Sequence, residues 1–239
     1  TIKQLPNLSV EGIYTHLSKA DELEGKDYTL HQIQHFTSVL SDLEKTNDRP
    51  KIVHCANSAA ALYYPESWFD YIRPGISLYG INPSTARPLT KEFKPAIEWT
   101  SSISSIELFP KGHSISYGGD YITKESEWIG VIPVGYADGF QRVETSRINP
   151  AYVLVKGMRC PIVGRVTMDQ TMIKIPEGGK SISIGEPVTI IGTQNIGTQY
   201  IGSQHEEQIT VDMLASWWNT INYVVISGIR SRIPRFFIK

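Results

Sequence analysis

Residues 51–64, KIVHCANSAAALYY, decide the architecture of this chain. KIVHC is short, rich in β-branched residues and reads as a strand, while Asn57-Ser58 is placed to cap a small apolar helix that stops at Pro65. A strand running straight into a capped helix is half of a βα repeat. Upstream, VEGIYT at 10–15 reads as another strand, followed by the polar loop HLSKADELEGKD. Residues 27–45 then place Leu30, Ile33, Phe36, Val39, Leu40 and Leu43 three or four apart, which predicts an amphipathic helix ended by Asp48-Arg49-Pro50. Downstream, a further short strand leads to Arg73-Pro74-Gly75. This alternation argues for a parallel α/β architecture.

From about Thr85 the texture changes. AIEWTSSISSIEL, WIGVIPVGYA, YVLVKGMRCPIVG and EPVTIIG are rich in Val, Ile and Thr and are punctuated by Gly and Pro. They predict a mostly antiparallel β domain interrupted by one helix near 211–219, capped by Thr210 or Asp212. The linker-like NPSTARPL marks the boundary, giving domains 1–84 and 85–239. The pentapeptides beginning at Ile191, Ile196 and Ile201 repeat a Gly-Thr/Ser-Gln pattern and read as a hairpin loop grown by duplication.

The chain has 239 residues, 41% hydrophobic and 20% charged, the balance of a globular protein. A formal net charge of -1 gives no broad electrostatic case for nucleic acid or an anionic membrane. No apolar run approaches the roughly 18 residues that cross a bilayer. Cys55 and Cys160 fit no CxxC pattern and read as free thiols of a cytoplasmic protein. His31 and His35 have metal-ligand spacing, but Gln-Ile-Gln lies between them, so a solvated helix face is expected and no metal.

Three polar residues fall just after predicted strands: His16, Ser58 and Arg73. In a β/α barrel that end carries the chemistry, and the loops after the late strands commonly bind phosphate. Ser58 offers a hydroxyl at a helix start, Gly75 lets a backbone approach a bound group, and Arg73 offers a permanent planar cation. In the β domain, Ser116-Tyr117-Gly118-Gly119, Gly135-Tyr136-Ala137-Asp138-Gly139 and Met168-Asp169-Gln170 are compact and Gly-flanked. Taken singly, each of these is an ordinary cap or turn.

Read in order, THLSKADE, HCANSAAAL, RPGISLYG, ISYGGDY, IPVGYADG, PIVGRVTMDQ and RIPRFF resemble alanine racemase over essentially the whole chain. The resemblance implies an α/β plus β fold, the C-terminal part of a (β/α)8 barrel followed by the β domain. It also implies pyridoxal 5'-phosphate as cofactor, and a homodimer whose sites each combine one subunit's barrel with the other's β domain. By the same carry-over, Ser58 binds the cofactor phosphate with the N–H groups of Gly75 and Ile76. Arg73 faces the pyridine nitrogen and His16 bonds to that arginine. Tyr117 is the catalytic base, Tyr136 lines the approach, the Met168 backbone meets the substrate carboxylate, and Asp169 supports it. A racemase needs two bases, one for each face of the α-carbon. Its biological role would be to supply D-alanine for peptidoglycan.

Two departures qualify the resemblance. The family's cofactor lysine lies in a motif like VKANAYGHG, and no such motif occurs here, so an earlier part of the barrel is expected to precede this chain. The chain alone is expected neither to hold the cofactor covalently nor to racemise, and a non-catalytic remnant of the fold is the reading of another class. The family's SYRVPR tyrosine is replaced by Ser231, and the smaller side chain implies tolerance for serine or a broader range of amino acids.

Overall fold

A computed structural model describes residues 2–89, 93–142, 151–179, 181–195 and 206–238. The chain divides into two compact units, Thr1–Ala96 and Ile97–Lys239. The division falls later than 84/85 because the segment after the linker stays with the first unit. There the Ala96 N–H donates to the Tyr79 carbonyl at 2.9 Å, and Gly80, in the left-handed region at φ 68°, packs against the Lys94 backbone where no Cβ would fit.

In the first unit, β1 (Gly12–Tyr14), β2 (Ile52–Asn57) and β3 (Tyr71–Arg73) form a parallel sheet in that order. Between β1 and β2 runs α1 (Lys26–Lys45), which buries Thr29, Ile33, Phe36 and Leu40. Ile33, Phe36 and Leu40 pack in one cluster with Val53, Cys55 and Ala56 of β2 and with Ala59 and Ala60 of α2 (Ser58–Tyr63). Asn57 joins these pieces. Its carbonyl oxygen accepts the Ala60 N–H at 3.0 Å and caps α2, while its amide donates to the Leu17 carbonyl at 3.0 Å and fastens the loop after β1. His31 and His35 are exposed on α1.

The second unit is antiparallel throughout its described strands. These are β4 (Trp99–Ser102), β5 (Ser105–Phe109), β6 (Ser114–Ile115), β7 (Tyr121–Ile122), β8 (Glu127–Ile132), β9 (Tyr152–Val155), β10 (Met158–Pro161), β11 (Thr171–Lys174), β12 (Pro187–Asn195) and β13 (Glu206–Ile209). One sheet runs β10-β9-β12-β13 with β4 also on β12, a second runs β11-β8-β5, and β6 pairs with β7. Lys156-Gly157, both at positive φ, make the tight turn between β9 and β10. The core is dominated by Val153, Leu154, Val155, Val188, Ile190 and Ile209, all nearly sealed from solvent. Phe140 packs edge-on between Trp99 and Trp218. The second and third copies of the pentapeptide repeat lie outside the described residues.

Two helices, not one, follow β13: α3 (Val211–Trp217) and α4 (Asn222–Gly228). Thr210 is the cap of α3, accepting the Met213 N–H at 3.1 Å. Asp212 instead accepts from the Asn222 amide at 2.9 Å and ties α4 to α3. NYVVISG was unreadable as a helix because its β-branched residues favour strands locally. Packing overrides that preference, with Val225 fully buried.

The thiols are sealed. Cys55 donates to the Ser67 carbonyl, and burial pushes its pKa up to about 11 even though Arg73 pulls the other way. Burial pushes Cys160 up to about 12. Neither thiol is expected to react with a disulfide reagent at pH 8 until the chain is denatured; rapid labelling of the folded protein would contradict this.

The hairpin β6–β7 is anchored by Glu127, whose side chain is 1% exposed. Its carboxylate accepts the Tyr121 hydroxyl at 2.6 Å, the Lys174 ammonium at 2.9 Å and the Lys124 N–H at 3.3 Å. Burial opposes its ionisation, but the bonds from Tyr121 and Lys174 outweigh burial and hold the carboxyl below its ordinary value. A depressed folded pKa contributes stability that is present above the unfolded value, about 4.3, and lost as pH falls through the folded one. Glu127→Gln is expected to cost about 1.5–3 kcal/mol at pH 7. Melting temperatures of the variant should depend less on pH between about 5 and 3; parallel pH profiles would refute the assignment.

Candidate active site

In the first unit the polar groups gather at the C-terminal ends of the parallel strands. Arg73, the last residue of β3, reaches back across β2 and β1. It donates to the Thr15 carbonyl at 3.0 Å and the Cys55 carbonyl at 3.2 Å, and meets Nδ1 of His54 at 2.6 Å and Nδ1 of His16 at 3.4 Å. Arginine has only donors, so the imidazole nitrogen it meets accepts. The Tyr14 ring stacks on His54 and lies beneath the guanidinium. The shorter of the two histidine contacts is therefore with His54, a residue that sequence reasoning passed over. Its signal was a polar side chain inside an otherwise apolar run of a sheet strand.

Ser58 stands beside this group, buried at the start of α2. Its hydroxyl oxygen accepts the Gly75 N–H at 2.8 Å and the Ser77 N–H at 3.5 Å. A Cβ at Gly75 would meet nothing nearer than that oxygen at 4.0 Å. Ile76 is buried in the same turn. The Ser58 oxygen takes up these N–H groups and leaves its own proton to donate, beside a fixed guanidinium, a pairing suited to a phosphate and to an aromatic nitrogen acceptor.

In the second unit an open cleft of about 520 Å³ is lined by Tyr117, Tyr136, Arg142, Arg165, Met168 and Asp169, among others. Tyr117 is 73% exposed at its rim. The turn that presents it is tightly constrained. Ser116 has φ 65°, unusual for a residue with a side chain, and Gly118 and Gly119 are also at positive φ. Gly164 makes room, since a Cβ there would lie 2.7 Å from the Ile115 carbonyl oxygen. The Ser116 hydroxyl donates to the Arg165 carbonyl at 2.7 Å. The Arg165 guanidinium lies across Gly118 and forms a two-pronged pair with Asp120, which lowers the Asp120 pKa through that hydrogen bond. Arg165 and Arg142 are additions to the sequence reading, in which nothing distinguished them from solvated arginines.

The other two Gly-flanked turns are bonded to each other. The Tyr136 N–H donates to the Thr167 carbonyl at 3.0 Å and the Ala137 N–H to the Met168 carbonyl at 2.9 Å. Asp138, 3% exposed, accepts the Gly135 N–H at 2.8 Å. Its other oxygen accepts from Arg232 at 2.5 Å, and the same guanidinium donates to Asp169 at 2.6 Å. Ser231 is exposed next to it.

The sequence and fold resemble those of known proteins. Residues 1–83 match the family model "Alanine racemase, N-terminal domain", and residues 96–237 match "Alanine racemase, C-terminal domain". The chain is 38% identical to an alanine racemase of Symbiobacterium thermophilum over 99% of its own length and 59% of the relative's. It is 42% identical to one of Listeria monocytogenes, covering all of this chain and 60% of the relative. The crystal structure of alanine racemase from Bacillus anthracis with bound L-Ala-P superposes with a TM-score of 0.85 at 41% identity, over 98% of this chain and 56% of that one. The chain thus spans about three-fifths of the length of these curated relatives. Matched by both family models in the order in which its two units occur, it belongs to the alanine racemase family.

Proposed function

We propose that this chain is the barrel-end and β-domain portion of a pyridoxal-phosphate-dependent alanine racemase. The observation that carries the reading is Arg73, fixed by two carbonyls and two histidines at the ends of the parallel strands and adjoining the Ser58–Gly75 cradle. The first unit is read as part of a β/α barrel. Ser58, Gly75 and Ile76 would hold the cofactor phosphate, and Arg73 would face the pyridine nitrogen, oriented by His54 and His16. The cofactor, when bound, supplies the electron sink for the pair left at the substrate α-carbon. Arginine does not give up its proton near neutral pH, so Arg73 would offer the ring nitrogen a hydrogen bond without transferring a proton to it.

Tyr117 would remove or return the α-proton through its phenolic oxygen. A phenolate oxygen can accept a proton and a phenol can return one, so one residue can act in either direction. Its exposure at an arginine-lined cleft suits a base that serves a site completed by a second copy of the chain. The Met168 N–H would bind the substrate carboxylate, with Tyr136 lining the approach. The lysine that anchors the cofactor and serves as the opposite base belongs to a motif this chain does not contain.

Tyr117→Phe in the holoenzyme is expected to lower kcat by about 10²–10⁴-fold while cofactor absorbance is unchanged; near-normal turnover would remove Tyr117 from the mechanism. Ser231 favours a second, narrower reading in which serine is accepted beside alanine. The ratio of kcat/KM for serine over alanine should fall in Ser231→Tyr, because the added ring narrows the space beside the Arg232-bearing segment. An unchanged ratio would exclude the idea.

A further inference from the structure

Arg232 bridges two carboxylates that are far apart in sequence and unlike in setting. Asp138 is nearly sealed, its second oxygen already committed to the Gly135 N–H, and its main-chain carbonyl accepts the Arg230 N–H at 3.0 Å. That end of the bridge cannot move without opening the Gly135–Gly139 turn. Asp169 is 58% exposed and sits in the tight turn 167–170, closed by the Thr167 N–H to the Gln170 carbonyl and by the Thr167 hydroxyl. The Met168 carbonyl is used by Ala137, whereas the Met168 N–H donates to none of the described residues. Without Arg232, an open N–H and an unpaired carboxylate would stand on successive residues at the cleft, in conflict with each other. The anion would repel any substrate carboxylate that comes to the N–H.

We propose that Arg232 is a positioning residue that draws the Asp169 carboxylate off the Met168 amide, so that the turn presents a donor to the substrate carboxylate in place of a repelling charge. The inference rests on the racemase reading of this cleft. The guanidinium fork is suited to the task because its donors point in fixed directions and Asp138 holds one of them. An exposed ion pair alone contributes little. Here the buried partner fixes the geometry, and the effect falls on an incoming charge and not on folding.

The test uses the holoenzyme with Arg232→Gln, Arg232→Lys, Asp169→Asn and the Arg232→Gln/Asp169→Asn pair. KM and kcat for alanine are measured together with the Ki of propionate, a carboxylate without the amino group. Arg232→Gln is expected to raise KM and Ki by roughly tenfold, equivalent to about 1.4 kcal/mol, with a much smaller change in kcat. Adding Asp169→Asn should restore both constants to within about twofold of the parent. Arg232→Lys, which keeps the charge but not the fork, should fall between. Unchanged constants in Arg232→Gln, or failure of Asp169→Asn to restore them, would overturn the proposal, the latter by showing a purely structural role. Should Arg232→Gln not fold, Asp169→Asn alone decides: propionate affinity equal to or better than the parent supports the clamp, and a severalfold loss refutes it. A parent protein that does not racemise alanine would instead sink the racemase reading. In that case the clamp is still read by propionate titration of the Met168 and Asp169 amide resonances.

Discussion

The buried carboxylate of Asp138 is the constraint on which the cleft of the second unit depends. A side chain this well sealed must have its charge answered by hydrogen bonds. The available donors are the Gly135 N–H and the Arg232 guanidinium. Satisfying it therefore folds the Tyr136 turn back on itself and pins the segment after α4 against that turn. Gly139, at φ 100° with the Gly228 carbonyl where a Cβ would stand, allows the two backbones to meet. With the Tyr136 and Met168 turns already joined through their main chains, three stretches distant in sequence become one rigid wall.

The first unit solves a different problem. Parallel strands end with their carbonyls and the following helix N-terminus at the same edge, which leaves that edge polar and receptive. Arg73 and Asn57 occupy it in complementary ways. Asn57 satisfies the helix start and the loop after β1, and Arg73 satisfies the carbonyls of Thr15 and Cys55. Those bonds hold the guanidinium still before any ligand arrives, so little ordering is left to be done on binding.

Much of this was legible in the chain itself where the signal is local. The three- and four-residue spacing of Ile33, Phe36 and Leu40 marks α1, and Asn57 marks α2, because burial and capping act over one or two turns. The motifs set Ser58 at a helix start and Tyr117 in a glycine-flanked turn, where they lie, whereas Arg73, expected just after a strand, is the last residue of β3. What was not legible depends on partners distant in sequence. His54 gains its meaning only when β3 lies beside β2, and Arg232 only when Asp138 and Asp169, many residues earlier, are brought to it. The positive φ of Ser116 is equally silent, since the room for it comes from Gly164 and its hydroxyl is held by the Arg165 carbonyl, both on another loop. In α4 local preference and final structure disagree outright, and the contact with α3 decides.

The pairing of β4 with β12 has a bearing on how the chain is made. Trp99–Ser102 leaves the ribosome long before Pro187–Asn195, its antiparallel neighbour, so the larger sheet of the second unit cannot close until most of that unit has been synthesised. The first unit has no such wait, because β2 and β3 are joined by a short helical connection. Sequence-distant pairing slows folding, and an unpaired apolar strand is exposed to wrong partners in the interval. Among the described strands β4, with Trp99 at its head, waits through the longest stretch of synthesis for its partner.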